Sequence, residues 1–521
     1  MNRDVSLSNA VTKRILIASA NPWSFCMAVE RDFALAQPDT QVDAINLWRL
    51  CARASPHWRK RDKLIETVNR KIDRFVMPMV QRDIAADVHG PGGNIPPLPD
   101  SYEALRAYEL DGAKVGLAVL SSVSSLTTIQ FPSALDEFGP VLEPAWRSAH
   151  LSLRVGQAVR ELGYDRVVIF NGRHCYSRPF CDVVEQRAEV IRYEQGSAGN
   201  RYISAPHSIH EPEYLARLIA DHPFDPAAGE HFFRARMNKD PRNEVGLMTA
   251  KQRTGALPAG MRQNEAVTFF TSSSDEMHAV TDHALYGTFA TQHAVALALA
   301  EICSARGLQL VVRLHPHLRF KHPAWKREWH FPDLERRGAL IVAPDDAPDS
   351  YAMVRASRCV VTTGSTIGIE ASYFGVPNAV VGSWVGGWLG ASAVANTPEQ
   401  LANFIAEPRL PENAHRQALV FGSFYRTAGK PLPELDVGSH PNFARIGGRI
   451  VDPVRYAAQK VRFLLRPPHG DASALDLKSG LQAGRVVLAP GTDYSSVYGK
   501  APRSGVTKLR RASTEKSLSG E

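Results

Sequence analysis

Short apolar runs alternate with longer mixed stretches along most of the chain, and this alternation predicts an α/β fold. In the first half, five apolar runs are predicted to be buried strands: 14–20, 41–46, 114–120, 165–171 and 188–193. A helix over about 143–162 would separate the third strand from the fourth and complete a β-α-β unit. We therefore expect a parallel sheet in this half.

The second half repeats the alternation with shorter loops. Strands are predicted at 266–271, 308–314, 339–343, 358–363 and 377–381, and helices at 288–305, 331–337, 349–356 and 366–375. This pattern is typical of a doubly wound parallel sheet. The predicted fold class is thus α/β, with two Rossmann-like domains that face each other across a cleft.

Changes in composition set the expected domain boundaries. The N-terminal Rossmann-like domain, with a polar linker at its end, is expected over 11–263, and the C-terminal one over 264–410. Residues 411–466 are expected to form helices that pack back on the N-terminal domain. Residues 467–521 are rich in Gly, Ser, Pro and Arg and are expected to be a disordered tail.

The formal net charge of +8 is concentrated near the C-terminus. From residue 453 onward, twelve basic and five acidic residues give +7, so the preceding 452 residues carry only +1. A nearly neutral body argues against a protein that coats nucleic acid. Two basic segments, a predicted amphipathic helix at 453–466 and the stretch 49–74, suit either plain solvation or contact with anionic lipid or glycan.

The location expected from the sequence is the cytoplasm. No apolar run approaches the roughly 18 residues of a membrane helix, and the N-terminus lacks the apolar segment of a secretory signal. The six cysteines are scattered without a Cys-x-x-Cys pair, as is usual for reduced thiols. Peripheral attachment to the inner membrane is left open by the basic segments.

One motif at the end of a predicted strand is Arg313-Leu314-His315-Pro316. A histidine at a strand end can donate a hydrogen bond to a phosphate oxygen, and the proline stiffens the loop. Ligands in such folds bind at the carboxyl ends of strands. A structural His-Pro turn is the alternative interpretation.

A second motif combines small hydroxyl residues and glycine before a helix that carries an acidic residue: Thr362, Thr363, Gly364, Ser365, Thr366 and Glu370. Hydroxyls and the backbone N–H groups of a helix start suit an anion such as phosphate. The same residues could equally serve as an ordinary helix cap.

The first half offers an acidic residue at a strand end, in Tyr193-Glu194-Gln195-Gly196. A carboxylate there could accept a proton from a hydroxyl. Asn171 and Arg173 follow the preceding strand, and Arg173 could hold an anionic group or pair with Glu194. An exposed loop glutamate is the plainer alternative.

The segment after the first strand of the second half contributes Ser272 and Ser273, whose hydroxyls could face the cleft; the alternative is a helix start capped by Ser274 or Asp275. Several known signatures do not occur in the sequence: a GxGxxG loop, a P-loop, an HExxH motif, a GxSxG elbow and an Asp-x-Asp pair. No metal site is therefore predicted.

In their order along the chain, these motifs resemble those of bacterial GT-B glycosyltransferases. Strand–Arg-Leu-His-Pro, then strand–Thr-Thr-Gly-Ser-Thr, then Phe-Gly-Val-Pro, is similar to their C-terminal half. With Glu-Gln-Gly upstream, the chain resembles the CMP-sugar transferases, namely sialyltransferases and capsule-type Kdo transferases, over roughly 14–410.

The resemblance implies roles for these residues. Glu194 would be the general base. His315 and the hydroxyl cluster would hold the donor's phosphate and sugar, and Glu370 would bind ribose hydroxyls. The partners would be a nucleotide-sugar donor and a polysaccharide or glycolipid acceptor, without a metal or other cofactor. The alternatives are a nucleotide-sugar epimerase, a polyol-phosphate transferase, and a non-catalytic binding protein of polysaccharide export.

Overall fold

The computed structural model describes residues 13–451, apart from 22, 37–39, 55–70, 87, 89–93, 128–130, 132–138, 197–199, 239–248, 250, 274–276, 281–284, 321–325, 327–328, 330 and 437–443. Most of the basic stretch 49–74, the predicted helix 453–466 and the tail 467–521 lie outside the described residues. Within the described ranges, no helix is long and apolar enough to cross a bilayer.

The strands are short and mostly buried. In chain order they are β1 (Arg14–Ser19), β2 (Gln41–Asn46), β3 (Arg82–Asp83), β4 (Arg166–Phe170), β5 (Glu189–Gln195), β6 (Arg201–Ala205), β7 (Ala266–Phe270), β8 (Gln309–Arg313), β9 (Leu340–Val342), β10 (Cys359–Thr362), β11 (Asn378–Val380), β12 (Ala393–Val394), β13 (Lys430–Pro431), β14 (Leu435–Asp436), β15 (Arg445–Ile446) and β16 (Arg449–Ile450).

The helices that connect and cover them follow the same order. They are α1 (Ser24–Leu35), α2 (Leu47–Ala54), α3 (Tyr102–Arg106), α4 (Val115–Thr127), α5 (Gly139–Glu161), α6 (Arg178–Val184), α7 (Pro212–Asp221), α8 (Pro226–Met237), α9 (Gln292–Ala305), α10 (Phe331–Arg336), α11 (Ser350–Ala356), α12 (Ile367–Tyr373), α13 (Val385–Trp388), α14 (Pro398–Ala406) and α15 (Ala414–Thr427).

Two Rossmann-like sheets confirm the predicted fold class. The first sheet has the order β13-β6-β5-β4-β1-β2-β3, and β6 and β13 run antiparallel to their neighbours. The second sheet has the order β12-β11-β10-β7-β8-β9 and is parallel throughout. Strands such as β1 and β7 are apolar along nearly their whole length because helices cover both faces of each sheet.

The prediction of a strand at 114–120 is wrong, because this run begins helix α4. A short apolar run does not by itself distinguish a buried strand from a buried helix. Here the apolar pattern continues through small residues to Thr127, and the helix is buried against α5. Gly116 permits a close approach to α3, since a β-carbon there would lie only 1.6 Å from the carbonyl oxygen of Leu105.

A layer of three helices connects the two sheets. Helices α7 and α8 both pack on α15, and α15 also packs on α12 of the second sheet. Their shared core contains Ile219, Phe233 and Phe421 together with Ile369 and Val385 from the second half. The first-sheet residue Ile203 packs against the same core, so this layer joins both halves.

After α15 the chain returns to the first sheet. Strand β13 pairs with β6, and Leu432, Leu435 and Ile446 belong to the same apolar core as α1. The short strands β14, β15 and β16 form a small antiparallel sheet beside that helix.

Candidate functional site

The strand order of each sheet changes direction at one point, and the candidate residues lie at these two points. In the first sheet the change falls between β1 and β4, and in the second between β7 and β10. Loops that leave neighbouring strands in opposite directions open a crevice at the carboxyl edge, where ligands bind in this class of fold. The segments after β4, β7 and β10, together with the ends of the adjacent strands β5 and β8, therefore define the candidate site.

In the first sheet, the turn after β4 directs Asn171 toward β5. Asn171 has a positive φ of 62°, a conformation that asparagine tolerates better than most residues. Its backbone N–H donates to the carbonyl of Tyr193 (3.1 Å), and its side-chain oxygen accepts from the backbone N–H of Arg173 (3.1 Å). That second bond fixes the amide, so Nδ2 is the atom that faces Glu194.

Glu194 is held by two neighbours through one of its oxygens. Asn171 Nδ2 donates to Glu194 Oε1, and His210 Nε2 lies 3.1 Å from the same oxygen. His210 Nε2 also lies 3.0 Å from Asn171 Nδ2, so the three side chains form one hydrogen-bonded group in which the role of Nε2 depends on the tautomer of the ring. Hydrogen bonds to a charged group contribute about 1.5–3 kcal/mol each, so the pair fixes the position of the carboxylate.

The second oxygen of Glu194 is the one open to a ligand. Among the residues that the structure describes, Oε2 accepts no hydrogen bond. It is also not among the buried side-chain oxygens and nitrogens that lack a partner, so it is accessible. The Glu194 side chain is 14% exposed. A carboxylate with one anchored and one open oxygen is suited to accept a proton from a bound hydroxyl.

A buried arginine follows Asn171 in the same turn. Arg173 is 8% exposed, and its guanidinium donates to Ser125 Oγ (3.3 Å). Burial, with the charges of Arg173 and His210, lowers the pKa of His174 well below its ordinary value. His174 is therefore neutral near pH 7, and Arg173 supplies the permanent charge.

A single buried carboxyl group, that of Glu30, contacts Tyr193, whose side chain lies on the face of β5 opposite Glu194. Glu30 of α1 is fully buried and accepts hydrogen bonds from Ser19 Oγ (2.8 Å) and Tyr193 OH (2.9 Å). Burial raises the pKa of Glu30 to about 8, partly opposed by these two hydrogen bonds. Glu30 is thus mostly protonated at neutral pH, and it anchors the residue that precedes Glu194.

In the second sheet, Gln292 joins the loops after β7 and β10. Its Oε1 accepts from the backbone N–H of Ser272 (2.9 Å) and from Thr363 Oγ1 (2.7 Å), and its Nε2 donates to the carbonyl of Ser272 (3.1 Å). Ser272 Oγ also donates to the carbonyl of Thr363 (3.0 Å). These contacts hold the two loops together. The hydroxyl protons of Ser272 and Thr363 are both used in them.

His315 is presented by the same group of loops. Its backbone N–H donates to Thr271 Oγ1 (2.9 Å), and its Nδ1 accepts from the backbone N–H of His317 (3.2 Å). Because Nδ1 is an acceptor, the neutral ring carries its proton on Nε2. The ring is therefore set to act as a hydrogen-bond donor, and Pro316 starts the turn that makes this contact.

The hydroxyls of the loop after β10 differ in their freedom. Thr366 Oγ1 accepts from Arg236 (3.1 Å) and donates to Glu370 Oε1 (3.1 Å), so its proton is used. Ser365 Oγ accepts weakly from the backbone N–H of Ile367 (3.5 Å), and its own proton goes to no described residue. Ser365 is therefore the loop hydroxyl best placed to donate to a ligand.

The backbone of this loop turns at Gly364. Its φ of 107° is a conformation that residues with a side chain rarely adopt. A β-carbon there would lie 3.6 Å from the ring of Trp384, so this indole forms one wall beside the loop.

Three predicted site residues are buried in the structure, and two of them, Arg313 and Glu370, have partners within the protein. Arg313 is 1% exposed and donates to the carbonyls of Ala343 (2.6 Å) and Asp346 (3.5 Å); burial lowers its pKa to about 10. Thr362 is also 1% exposed. Glu370, expected to bind ribose, is 3% exposed and forms an ion pair with Arg236 (3.2 Å). These three residues support the loops and are left out of the site proposed below.

Two residues of the arrangement were not anticipated from the sequence. His210 lies in the loop after β6, and it reaches Glu194 because β6 folds back antiparallel to β5. Gln292 follows the Thr291 cap of α9 and contacts segments that are 20 and 71 positions away in the chain. The local signal was a pair of histidines, His207 and His210, in a stretch to which the sequence analysis assigned no strand.

Among the described residues, no group of three or more His, Cys, Asp or Glu side chains is arranged to hold a metal ion. The five described cysteines are buried and unpaired with one another. The expectation that no metal is needed stays a prediction.

Comparison with known proteins gives similarity at low identity. No family model and no curated protein matches the chain. Among solved structures, the chain is similar to the Thermosulfurimonas dismutans KpsC β-Kdo 2,7-transferase, with 16% identity, 51% of this chain and 80% of that chain covered, and a TM-score of 0.31.

Two further solved structures are similar over more of the chain. One is the Methanocaldococcus jannaschii UDP-GlcNAc 2-epimerase in complex with UDP-GlcNAc and UDP, with 10% identity, 78% and 98% coverage and a TM-score of 0.29. The other is the glycosyltransferase SnogD from Streptomyces nogalater, with 13% identity, 81% and 96% coverage and a TM-score of 0.22. All three proteins act on sugars according to their names.

Proposed function

We propose that this chain is a glycosyltransferase that moves a sugar from a nucleotide-sugar donor to a hydroxyl of a glycan acceptor. The observation that carries the proposal is the Glu194 carboxylate, which is anchored through Oε1 by Asn171 and His210 while Oε2 is open. This arrangement is that of a general base at the carboxyl edge of a Rossmann-like sheet.

On the acceptor side, Glu194 Oε2 takes the proton of the attacking hydroxyl. At the same time the oxygen of that hydroxyl bonds to the anomeric carbon of the donor sugar. His210 and Asn171 hold the carboxylate in place during this step. Arg173, whose backbone N–H donates to Asn171, is proposed to balance negative charge on the acceptor. General-base catalysis of this kind contributes about 10²–10⁴-fold in rate.

On the donor side, the leaving nucleotide phosphate gains negative charge as the glycosidic bond breaks. The proposed contacts are the Nε2–H of His315, after β8, and the hydroxyl of Ser365, after β10; these two strands are the neighbours of β7 on either side. Hydrogen-bond donors that are already in position before the reaction stabilise the developing charge without having to reorganise. Thr363, Thr366, Ser272 and Gln292 hold the loops that carry these groups.

The finer assignment follows the sequence resemblance. We propose a CMP-sugar donor such as CMP-Kdo or a sialic-acid-like sugar, and an acceptor that is a surface or capsular polysaccharide or a glycolipid. Attack from the side opposite the nucleotide would invert the anomeric centre, and neither a metal nor another cofactor is proposed. The proposed location is the cytoplasmic face of the inner membrane.

The test is transfer by the purified chain with CMP-Kdo, CMP-sialic acid and UDP-GlcNAc, each with and without a glycan acceptor, followed by mass spectrometry. Glu194→Gln is expected to lower turnover by at least about 10²-fold and to leave donor affinity within a few-fold. The matched control is Glu189→Gln, on the same strand but with its carboxylate in an exposed pair with Arg166 (2.6 Å).

The outcomes separate the competing functions. Turnover by Glu194→Gln within about threefold of wild type would show that Glu194 is not the base. An isomerised nucleotide sugar formed without acceptor would identify an epimerase. Binding of a nucleotide sugar with no product across acceptors would identify a binding protein.

A further inference from the structure

The hydroxyl loop of the second half is held by a residue from outside the second sheet. Arg236, near the end of α8, contacts Thr366 Oγ1 (3.1 Å) and Glu370 Oε1 (3.2 Å). Thr366 donates to the same Glu370 oxygen (3.1 Å), so the three side chains form a closed triangle. Burial and the charge of Glu370 raise the pKa of the Tyr351 hydroxyl well above its ordinary value, so Tyr351 belongs to the surroundings of this group.

Helix α8 is a rigid support for this guanidinium. A β-carbon at Gly229 would lie 2.5 Å from the carbonyl oxygen of Leu419, so α8 and α15 are in direct backbone contact. Phe233 stacks on Tyr373 of α12, with ring centroids 4.3 Å apart. The guanidinium of Arg236 additionally lies over the ring of Phe232, at 4.9 Å.

The charges in the triangle balance inside the protein. The side chains of Arg236 and Glu370 are 18% and 4% exposed, so each would be costly to bury without the other. Because the pair connects the helical layer to Thr366, the shape of the loop that carries Ser365 depends on the contact between the two halves. A shift of α8 relative to α12 would release that loop.

We propose that Arg236 is a positioning residue for the donor site, which it serves by holding the loop at 363–366 through Thr366 and Glu370. This inference rests on the proposed function for its ligand, a nucleotide phosphate. The contacts that hold the loop do not depend on the ligand. Hydrogen exchange therefore tests the holding of the loop, and nucleotide affinity tests the donor site.

The experiment compares Arg236→Met with the double variant Arg236→Met/Glu370→Met. The single change leaves a buried carboxylate without its cation and is expected to lower the Tm. The double change removes both charges and is expected to recover most of the Tm, because apolar replacements of buried pairs are often neutral. The control is Arg234→Met on the same helix, whose pair with Glu230 (3.5 Å) is exposed.

Two readouts are measured on each folded protein: amide hydrogen exchange over 362–370, and the Kd for CMP and for UDP by titration calorimetry. For the double variant we expect exchange of the loop to rise about tenfold and the Kd to rise about tenfold, despite the recovered Tm. Exchange in β1 and both readouts in Arg234→Met are expected to match wild type.

The results decide the two proposals separately. If the double variant recovers its Tm with unchanged loop exchange, the pair is only structural and the inference is overturned. If the loop loosens while CMP and UDP bind neither protein, the positioning role holds and the proposed donor site fails. If Arg236→Met does not fold, Arg236→Lys provides the comparison, since lysine keeps the charge but not the two-directional contact.

Discussion

The buried carboxyl of Glu30 makes the stability of the N-terminal half depend on pH in a definite direction. Its pKa is raised from 4.5 to about 8 because burial disfavours the charged form. The folded state therefore binds more protons than the unfolded state between these two values. The contribution of Glu30 to the free energy of unfolding is fully present below pH 4.5. It falls as the pH rises and is lost by about pH 8.

The magnitude follows from the size of the shift. Each pKa unit corresponds to about 1.4 kcal/mol, so the full difference approaches 5 kcal/mol. Between pH 5.5 and 7.5, a rise of two units is expected to cost about 2.7 kcal/mol. For a domain of about 200 residues, this lowers the Tm by roughly 5–10 °C.

The assay measures the Tm of wild type and of Glu30→Gln from pH 5 to 9. Glutamine can keep contacts with Ser19 and Tyr193 but does not ionise, so the variant should lose less stability as the pH rises. Glu103→Gln, at an exposed helical position, is the control and should follow wild type. If Glu30→Gln runs parallel to wild type across this range, Glu30 is not a protonated buried carboxyl.

Three further predictions concern the donor site and the tail. Ser365→Ala is expected to raise the Kd for the donor nucleotide about tenfold in calorimetry, whereas Ser365→Thr, which keeps the hydroxyl, should stay within about threefold. His315→Ala should likewise cost about tenfold in Kd, and His315→Gln, which retains an N–H donor, should recover part of it; equal affinities would exclude a phosphate contact. Deleting 467–521 should weaken sedimentation with vesicles that contain anionic lipid and leave turnover unchanged; unchanged sedimentation would make the tail a solvated extension.

Much of the fold could be predicted from local pattern. Runs such as 14–20 and 266–271 are apolar throughout, and burial on both faces of a parallel strand requires that pattern. The run at 114–120 shows the limit, because an apolar segment inside a fully buried helix has the same local composition as a buried strand. Its helical state depends on its neighbours α3 and α5.

The site was predictable only one residue at a time. Sequence position alone placed Glu194, His315 and Ser365 at strand ends, since polar side chains there interrupt apolar runs. Their partners depend on which strands are neighbours, and that is a property of the whole chain.

The tertiary structure decided how the polar groups are used. Strand β6 brings His210 to Glu194, and the helical layer brings Arg236 to Glu370, 134 positions further along the chain. In each case a buried charge without a partner would be costly, so these residues are paired. Which residue becomes the partner depends on the folded environment. The sequence by itself determined two Rossmann-like sheets and polar residues at their edges; the packing of the two halves determined which of those residues are buried in contacts that support the loops.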